Sequence, residues 1–383
     1  MSSGIRGKAE KRVLFFANGH GEDSMAAAIA AKLPKTIIAH AYPLVGAGGA
    51  YKDVCLIVGP RAHIPSEGWR HTSGSVVRDV KGGMLSGILP ALRFLKSIRG
   101  HYDKIVTVGD AVTPLFCWLA GLKTDIYLDV FKSGYAHRYS FIERLLIKSV
   151  AQKVYCRDDM LASALRKSGV DAVSVGNIML DTVPYGTYDV ARKRKRPHAI
   201  TLLPGSRAWT GEALKLQLEA IKRVPEEMQP DIFVAVAGGL DITDLATDTG
   251  LTHKPSKTKN PADLGQLVGD GLTLHLATGV VGNLIEKSDV VLSQAGTATQ
   301  QALGLGKPVI TFNRSDNRAK RMADEQALMG EARILTIPNA RDIAEAMIHL
   351  LSNKKECKRL GEIGRERLGG PGTIDAVVAD LVG

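Results

Sequence analysis

Two short loops, each preceded by an apolar strand-like run and followed by a helix, constrain the fold of this chain most strongly. The first loop, residues 202–207, follows the run 199–201, and the second, residues 296–299, follows the run 290–292. In a strand–loop–helix unit, backbone N–H groups and the helix N-terminus face the carboxyl edge of a parallel sheet. The pattern therefore predicts an α/β fold whose loops can bind an anion such as a diphosphate.

The alternation of strand-like and helix-like segments runs along the whole chain. It predicts strands at 13–18, 36–41, 54–58, 104–108, 125–130, 199–203, 232–237, 272–276, 290–292 and 309–312, and helices at 24–33, 84–98, 211–223, 342–353 and 374–381. This rhythm is typical of parallel sheets with helices on both faces. Two doubly wound, Rossmann-like domains are expected in a chain of 383 residues.

A basic run ending in proline, residues 192–197, separates the two halves and predicts an interdomain linker. The predicted organisation is an N-terminal domain at 1–191, the linker at 192–198, and a C-terminal domain at 199–365. A last helix, within 366–383, is a candidate for packing back on the N-terminal domain. The linker is interpreted equally as a solvated charge run or as a membrane contact.

The charge is distributed unevenly along the chain. Residues 1–196 contain 29 Lys and Arg against 16 Asp and Glu, whereas residues 197–383 contain 21 against 23. The excess favours an anionic partner, and because no nucleic-acid motif with interleaved aromatic residues occurs, a membrane surface is preferred over nucleic acid. The helix within residues 82–99 mixes apolar residues with Arg93, Lys96 and Arg99. It predicts either an interfacial segment or an ordinary amphipathic core helix.

Cysteine usage and apolar runs indicate the compartment. The four cysteines are scattered, which suggests neither a zinc site nor a disulfide framework, so metal-independent chemistry without a cofactor is expected. The first apolar run, 13–17, is too short for a signal peptide, and no run of eighteen apolar residues occurs. We therefore expect a cytoplasmic protein associated peripherally with the membrane.

The loop after the first strand, residues 18–24, is the first candidate for chemistry. Its glycines do not match the dinucleotide fingerprint, which disfavours a nicotinamide cofactor. His20 can act as a general base or only bond within the turn. Asp110, which ends the strand at 104–108, can be the base, can orient His20, or can cap a helix beginning near Pro114. Both bases therefore stay candidates.

Four further residues of this first loop are predicted to contact the acceptor. Their backbone can approach a ligand closely, or their carboxylates can bind sugar hydroxyls; the residues are Gly19, Gly21, Glu22 and Asp23. The carboxylates have an alternative role, which is to complement the dipole of the following helix.

The second half supplies the predicted donor site. Arg207 carries a planar guanidinium suited to phosphate, although an exposed ion-pairing arginine is the alternative. The remaining candidates offer close backbone approach, hydroxyls for phosphate or a helix cap, and amides for ribose; they are Gly205, Ser206, Gly238, Gly296, Thr297, Thr299, Gln300 and Gln301. From a diphosphate site and polar groups for ribose we infer that the ligand is a nucleotide sugar.

Four segments together resemble the lipid-A-disaccharide synthase family, and most closely the synthase-related proteins. They are Leu-Leu-Pro-Gly-Ser-Arg at 202–207, Gly-Thr-Ala-Thr at 296–299 with Lys-Pro at 307–308, Gly-Ala-Gly-Gly at 46–49, and Val-Gly-Asn-Ile-Met-Leu-Asp at 175–181. The resemblance implies a GT-B fold with two domains facing across a cleft. It also implies an inverting, metal-independent glycosyltransferase that moves a sugar from a UDP-sugar to a lipid acceptor, in glycolipid biosynthesis.

Residue roles follow from this resemblance. Asp110 falls on the general base of the family, and His20 resembles the first-loop histidine of related GT-B enzymes. The chain departs from the synthase in two places: a histidine is added to the first loop, and Gln301 replaces a glutamate. Two other functions stay open, a UDP-N-acetylglucosamine 2-epimerase and a non-catalytic regulator that binds a nucleotide sugar or a lipid.

Overall fold

Two sheets, each buried under helices, form the framework of the protein. The computed structural model describes residues 11–61, 84–205, 210–313 and 319–383. Contacts divide the chain into two units, Met1–Thr182 with Pro371–Gly383, and Val183–Gly370. The division falls between residues 182 and 183, ahead of the basic segment 192–198 in which the sequence predicted the linker. Each unit is described by itself below.

The N-terminal unit contains a seven-stranded parallel sheet. Its strands are β1 (Lys11–Ala17), β2 (Ile37–Pro43), β3 (Leu56–Ile57), β4 (Lys104–Gly109), β5 (Thr124–Asp129), β6 (Ala151–Tyr155) and β7 (Ala172–Val173), in the order β3-β2-β1-β4-β5-β6-β7. Its helices are α1 (His20–Ala31), α2 (Met84–Ser97), α3 (Val112–Ala120), α4 (Phe141–Val150), α5 (Asp159–Arg166), α6 (Ile178–Asp181) and the C-terminal α15 (Thr373–Val382).

Alternate residues of the strands face opposite sides of this sheet, so each helix layer has its own core. Val13 and Phe15 of β1 pack with α1 and α15, whereas Leu14 and Phe16 pack with α2 and α3. Helix α15 is anchored at its start by Asp181, whose carboxylate accepts hydrogen bonds from the backbone N–H groups of residues 372–374. The end of the chain therefore belongs to the core of the N-terminal unit.

The second unit contains an eight-stranded sheet in the order β10-β11-β12-β9-β8-β13-β14-β15. The strands are β8 (Ala199–Leu203), β9 (Asp231–Ala235), β10 (Thr252–Lys254), β11 (Asp263–Gly269), β12 (Leu272–Ala277), β13 (Val290–Ser293), β14 (Val309–Phe312) and β15 (Arg333–Thr336). The helices are α7 (Val190–Lys193), α8 (Thr210–Ile221), α9 (Ile242–Thr249), α10 (Val281–Glu286), α11 (Thr297–Gly304), α12 (Ala319–Met329), α13 (Ala340–Ser352) and α14 (Lys354–Leu368). Three-residue 3₁₀ turns occur at Gly49–Tyr51, Glu226–Met228 and Gly330–Ala332.

Both units are doubly wound, Rossmann-like α/β domains, which confirms the predicted fold class. One departure is local: β10, β11 and β12 pair antiparallel at one edge of the second sheet, where the sequence predicted only the segment 272–276. A tight turn joins β11 to β12, with Asp270 and Gly271 both at positive φ. Within the described residues, no helix is long and apolar enough to span a bilayer.

Candidate functional site

The loops that follow β1 and β4 meet at the carboxyl edge of the first sheet. These strands are parallel neighbours, with Ala17 opposite Val108. The next residues are therefore brought together although 92 positions separate them: Asn18 Nδ2 donates a hydrogen bond to Asp110 Oδ1 at 2.7 Å. The edge between two adjacent parallel strands is where open α/β sheets bind ligands.

Asp110 contacts the start of a helix, as one of its predicted roles requires. Its Oδ1 also accepts a hydrogen bond from the backbone N–H of Val112 at 2.9 Å, and Val112 is the first residue of α3. The helix thus begins two residues before the predicted start at Pro114, and the Asp110 carboxylate helps to cap it. The side chain is half-buried, and its assignment as the base stays a prediction.

His20 is the first residue of α1 and is exposed. Its ring lies against Gly46, which has a φ of +77° and a position at which any Cβ atom would collide with the ring. The Gly-rich segment 46–49, which carried part of the family resemblance, therefore borders the His20 side of the edge. The positive φ favours glycine at this position, and any side chain there would displace the imidazole.

The other four first-loop residues separate into two groups. Gly19 caps α1 in an extended conformation and lies against the Glu22 carboxylate, and Gly21 has open space around its Cα. Asp23 is buried instead, and its Oδ1 accepts a hydrogen bond from Tyr51 Oη at 3.2 Å. Burial raises the pKa of Asp23 to about 7, despite the opposing effect of that hydrogen bond. A direct acceptor contact by Asp23 stays a prediction.

A buried polar network beside this edge was not predicted from the sequence. Asp129, the last residue of β5, accepts a 2.6 Å hydrogen bond from Tyr139 Oη and two bonds from the backbone N–H groups of Phe131 and Lys132. The hydroxyl of Tyr139 lies 2.8 Å from that of Tyr127. The network fixes the loop that follows β5. The available sequence signal was a carboxylate at the end of an apolar strand, as for Asp110.

The two predicted donor loops also follow the ends of adjacent parallel strands. In the second unit β8 pairs with β13, and the backbone N–H of Gln294 donates to Leu203 O at 2.8 Å. Gly205 follows with a φ of +102°, a conformation that favours glycine, and lies close to Gln294 O. Ser206 and Arg207 lie outside the described residues.

Helix α11 begins directly after the second loop. Gly296 is its N-terminal cap residue, and Thr297, its first residue, is exposed. Thr299 is buried, and its hydroxyl lies 2.6 Å from Ser293 Oγ while donating to Ala295 O at 2.5 Å. The hydroxyl of Thr299 therefore ties the helix to the end of β13, and a donor contact through it stays a prediction.

The remaining donor candidates lie at the same edge or on the same helix. Gln300 is half-buried and Gln301 is buried in the first turns of α11. Gly238 follows β9, the other neighbour of β8, and is exposed with open space around its Cα. Three loops from adjacent strands thus border one edge of the second sheet. This is the placement that a nucleotide site in a doubly wound domain requires.

Two cavities lined by described residues of the second unit lie away from these loops. A cavity of about 740 Å³ lies at the opposite edge, where β8, β9 and β12 begin, and its lining includes Lys195, Arg196, Lys222 and His275. Among the described residues, no cluster of three or more His, Cys, Asp and Glu side chains is arranged to hold a metal ion. The candidate donor site is assigned from the strand ends and the loops that follow them.

Two doubly wound units in one chain are the architecture of GT-B proteins, and solved structures of this fold match the chain. A UDP-N-acetylglucosamine 2-epimerase of Neisseria meningitidis bound to UDP-N-acetylglucosamine matches with a TM-score of 0.55 and 12% identity, over 97% of this chain and 99% of that one. MurG of Acinetobacter baumannii matches with a TM-score of 0.56 and 14% identity, over 97% of this chain and 99% of that one. A proposed UDP-N-acetylglucosamine 2-epimerase of Listeria monocytogenes matches with a TM-score of 0.58 and 14% identity, over 98% of this chain and 96% of that one.

The family comparison concerns the second unit. Residues 200–367 match the family model described as Glycosyl transferases group 1. A comparison of the whole sequence with curated proteins gives no match. The matched residues include the loop after β8 and the start of α11, so the family model covers the predicted donor loops.

Proposed function

We propose that the protein is an inverting glycosyltransferase that transfers a sugar from a UDP-sugar to a lipid acceptor at a membrane surface. The observation that carries the proposal is that candidate residues lie at the carboxyl edge of each sheet. Asp110, Asn18 and His20 lie at the edge of the first sheet, and the glycine loops after β8 and β13 lie at the edge of the second. The match to the group 1 glycosyltransferase model supports the transfer chemistry. The UDP-N-acetylglucosamine bound by the Neisseria protein supports the donor class.

The proposed reaction is a single displacement at the anomeric carbon. An acceptor hydroxyl gives its proton to Asp110, or in the alternative to His20, as its oxygen forms the new glycosidic bond. The bond from the anomeric carbon to the diphosphate breaks at the same time, and UDP leaves with the bonding electron pair. Backbone N–H groups at the start of α11 and the Arg207 guanidinium would stabilise the negative charge on the leaving group.

No metal ion has a part in the proposed reaction, and this stays a prediction with a direct test. Activity should be unchanged when EDTA is added to the assay. A loss of turnover that is restored by a divalent cation would contradict this part of the proposal.

A second function is favoured by a specific observation: the 2-epimerases match this fold as well as MurG does. Such an enzyme binds a nucleotide sugar in the same fold but has no acceptor. The two functions therefore differ in what happens to the lipid. A regulator that binds without turnover is the third outcome to be distinguished.

The deciding experiment incubates the purified chain with a panel of UDP-sugars and a bacterial lipid extract, then analyses the organic and aqueous phases by mass spectrometry. We expect the mass of a hexose or an N-acetylhexosamine to be added to a lipid, and this product to be lost with Asp110→Asn and with Arg207→Ala. An isomerised UDP-sugar with an unchanged lipid phase would replace the transferase by an epimerase. Binding of UDP without any product would favour the regulator.

A further inference from the structure

Three neighbouring helices of the N-terminal unit carry an unusual outer surface. Helices α2, α3 and α4 lie side by side on one face of the first sheet, with α3 packed against both others. Their inner residues, such as Leu95, Cys117 and Ile147, are buried. The outer residues of α3 and α4 would be expected to be polar if this layer faced only water.

The outer surface is instead apolar. Among the described residues, sixteen large apolar side chains are exposed, and seven of them lie on these three helices. They are Leu89, Leu115, Trp118, Leu119, Phe141, Ile142 and Leu145. Phe141 is 67% and Ile142 78% exposed, so they are not partly covered core residues. We call these seven side chains the apolar face.

Six of the seven residues of the apolar face lie on α3 and α4, which pack against each other. Leu115, Trp118 and Leu119 are three and four residues apart and share one side of α3, and the exposed residues of α4 repeat this spacing. The ends of the two helices are tied together by Lys123, whose ammonium group donates to the backbone oxygen of Ser149. Contiguous apolar patches of this kind mark sites of interaction.

The charged residues of the three helices and their C-terminal ends are mostly basic. Residues 84–99, 112–123 and 141–150 contain six Lys and Arg against the single acidic residue Glu143. Glu143 is paired with Lys132 at 2.9 Å and closes a capping box with Ser140. An apolar surface with a basic surround complements the interface of an anionic bilayer, where the indole of Trp118 is well suited to the boundary between acyl chains and water.

The position of the face connects it to the candidate site. In a parallel α/β unit each helix begins near the carboxyl end of the strand before it. The exposed apolar residues of α4 lie in the first half of that helix, whereas Trp118 and Leu119 lie in the last turn of α3. Asp110 immediately precedes α3, and Phe131, which is also exposed, lies in the loop between β5 and α4. The α4 part of the apolar face, together with Phe131, therefore adjoins the same sheet edge as the candidate base, and the α3 part extends away from that edge.

We propose that the apolar face of α2, α3 and α4 docks on an anionic phospholipid bilayer and presents the Asp110 edge to the headgroup region. The proposal rests on the proposed function for its biological meaning, because a lipid acceptor has to reach the base. The sequence analysis named the helix within 82–99 and the basic linker as membrane candidates; the proposal places the contact on a surface centred on α3 and α4. Vesicle binding is measured without donor or acceptor and so tests the surface by itself.

The test is co-sedimentation with vesicles made of equal parts phosphatidylcholine and phosphatidylglycerol, compared with pure phosphatidylcholine vesicles. We expect the chain to bind the anionic vesicles, and salt to weaken the binding. Phe141→Ser combined with Ile142→Ser should lower the vesicle affinity by about tenfold or more, because two large apolar side chains no longer enter the bilayer. Lys148→Gln should lower it further on anionic vesicles only.

Val382→Ser is the matched control. Val382 is 50% exposed, as is Leu145, but lies on α15, which packs on the opposite face of the sheet. Its substitution should leave vesicle binding unchanged, and circular dichroism should show all variants folded. Equal binding by the double variant and the wild type would overturn the proposal, as would indifference of the wild type to vesicles. A homodimer that dissociates in the double variant would show that the face contacts a second copy instead.

A glycosylation assay with a short-chain, water-soluble acceptor separates this proposal from the proposed function. We expect the double variant to retain activity on that acceptor and to lose it on acceptor embedded in vesicles. Vesicle binding without any transferase activity would leave the docking surface intact and contradict the proposed function alone.

Discussion

Asn18 Nδ2 donates a 2.7 Å hydrogen bond to Asp110 Oδ1, joining the ends of two adjacent parallel strands at the candidate acceptor edge. With the backbone N–H of Val112 on the same oxygen, the bond holds the carboxylate in one orientation. If Asp110 is the base, Asn18 is a positioning residue for it. The amide would then affect turnover without touching the substrate.

Substitution of these two residues should separate the two roles. We expect Asp110→Asn to lower kcat by about 10²–10⁴-fold, the range typical of general-base removal. Asn18→Ala should lower kcat by roughly tenfold with little change in the KM for the donor, because only the orientation of the carboxylate is disturbed. Steady-state kinetics with matched melting temperatures would check this, and a changed donor KM with normal kcat would contradict it.

Gly46 and His20 supply a second test. Gly46→Ala places a side chain at a φ of +77° and against the imidazole, so the loop or the ring must move. We expect a loss of kcat/KM, and a double variant with His20→Ala that is no worse than His20→Ala alone, since the two changes act through one contact. Gly49→Ala is the control, because Gly49 has open space and no positive φ.

The raised pKa of Asp23 predicts that the stability of the folded protein depends on pH. Its pKa is raised from 3.8 to about 7 by burial, so the folded chain holds this proton more tightly than the unfolded chain. Its contribution to the free energy of unfolding is therefore greatest below pH 4 and is lost as the pH rises to about 7. Asp23→Asn should remove up to roughly 4 kcal/mol of this dependence.

Urea denaturation between pH 4 and pH 8 would measure that change. The amide introduced by Asp23→Asn can still accept the Tyr51 hydrogen bond. The stability of the variant should therefore rise relative to that of the wild type as the pH increases. Asp171→Asn, at an exposed position of the same unit, is the control and should leave the profile unaltered. A wild-type profile that is flat from pH 4 to pH 7 would contradict the raised pKa.

Removal of the hydroxyl should affect stability at Thr299 and donor binding at Thr297. Thr299→Val leaves Ser293 without its 2.6 Å partner, so it should cost about 1 kcal/mol of stability with an unchanged donor KM. Thr297→Val, at the exposed first residue of α11, should raise the donor KM with little effect on stability. Thermal unfolding and donor titration measure the two effects, and a large donor defect in Thr299→Val would place that hydroxyl on the ligand.

Local patterns of apolar residues predicted many of the strands and helices correctly. Strands β8 and β14 were predicted at their observed bounds, and β13 and the helix 84–98 were predicted to within one residue at either end. The strands are short apolar runs and the helix is an amphipathic repeat, patterns that indicate the element without distant contacts. The hairpin of β10 and β11 was missed because β10 has only three residues, Thr252–Lys254, and β11 contains Gly265 and Gln266, residues that do not favour strands.

The sequence by itself determined the class of fold, the glycine loops after β1, β8 and β13, and the candidate residues on them. Only the tertiary structure decided which residues share a site. Asn18 meets Asp110 because β1 lies beside β4, and Asp23 and Thr299 are buried although the helical pattern allowed them to face a ligand. The same holds for the apolar face, whose residues resemble core residues until the packing of α3 and α4 leaves them outside. Strand order and helix packing depend on contacts across many residues, and no local period records them.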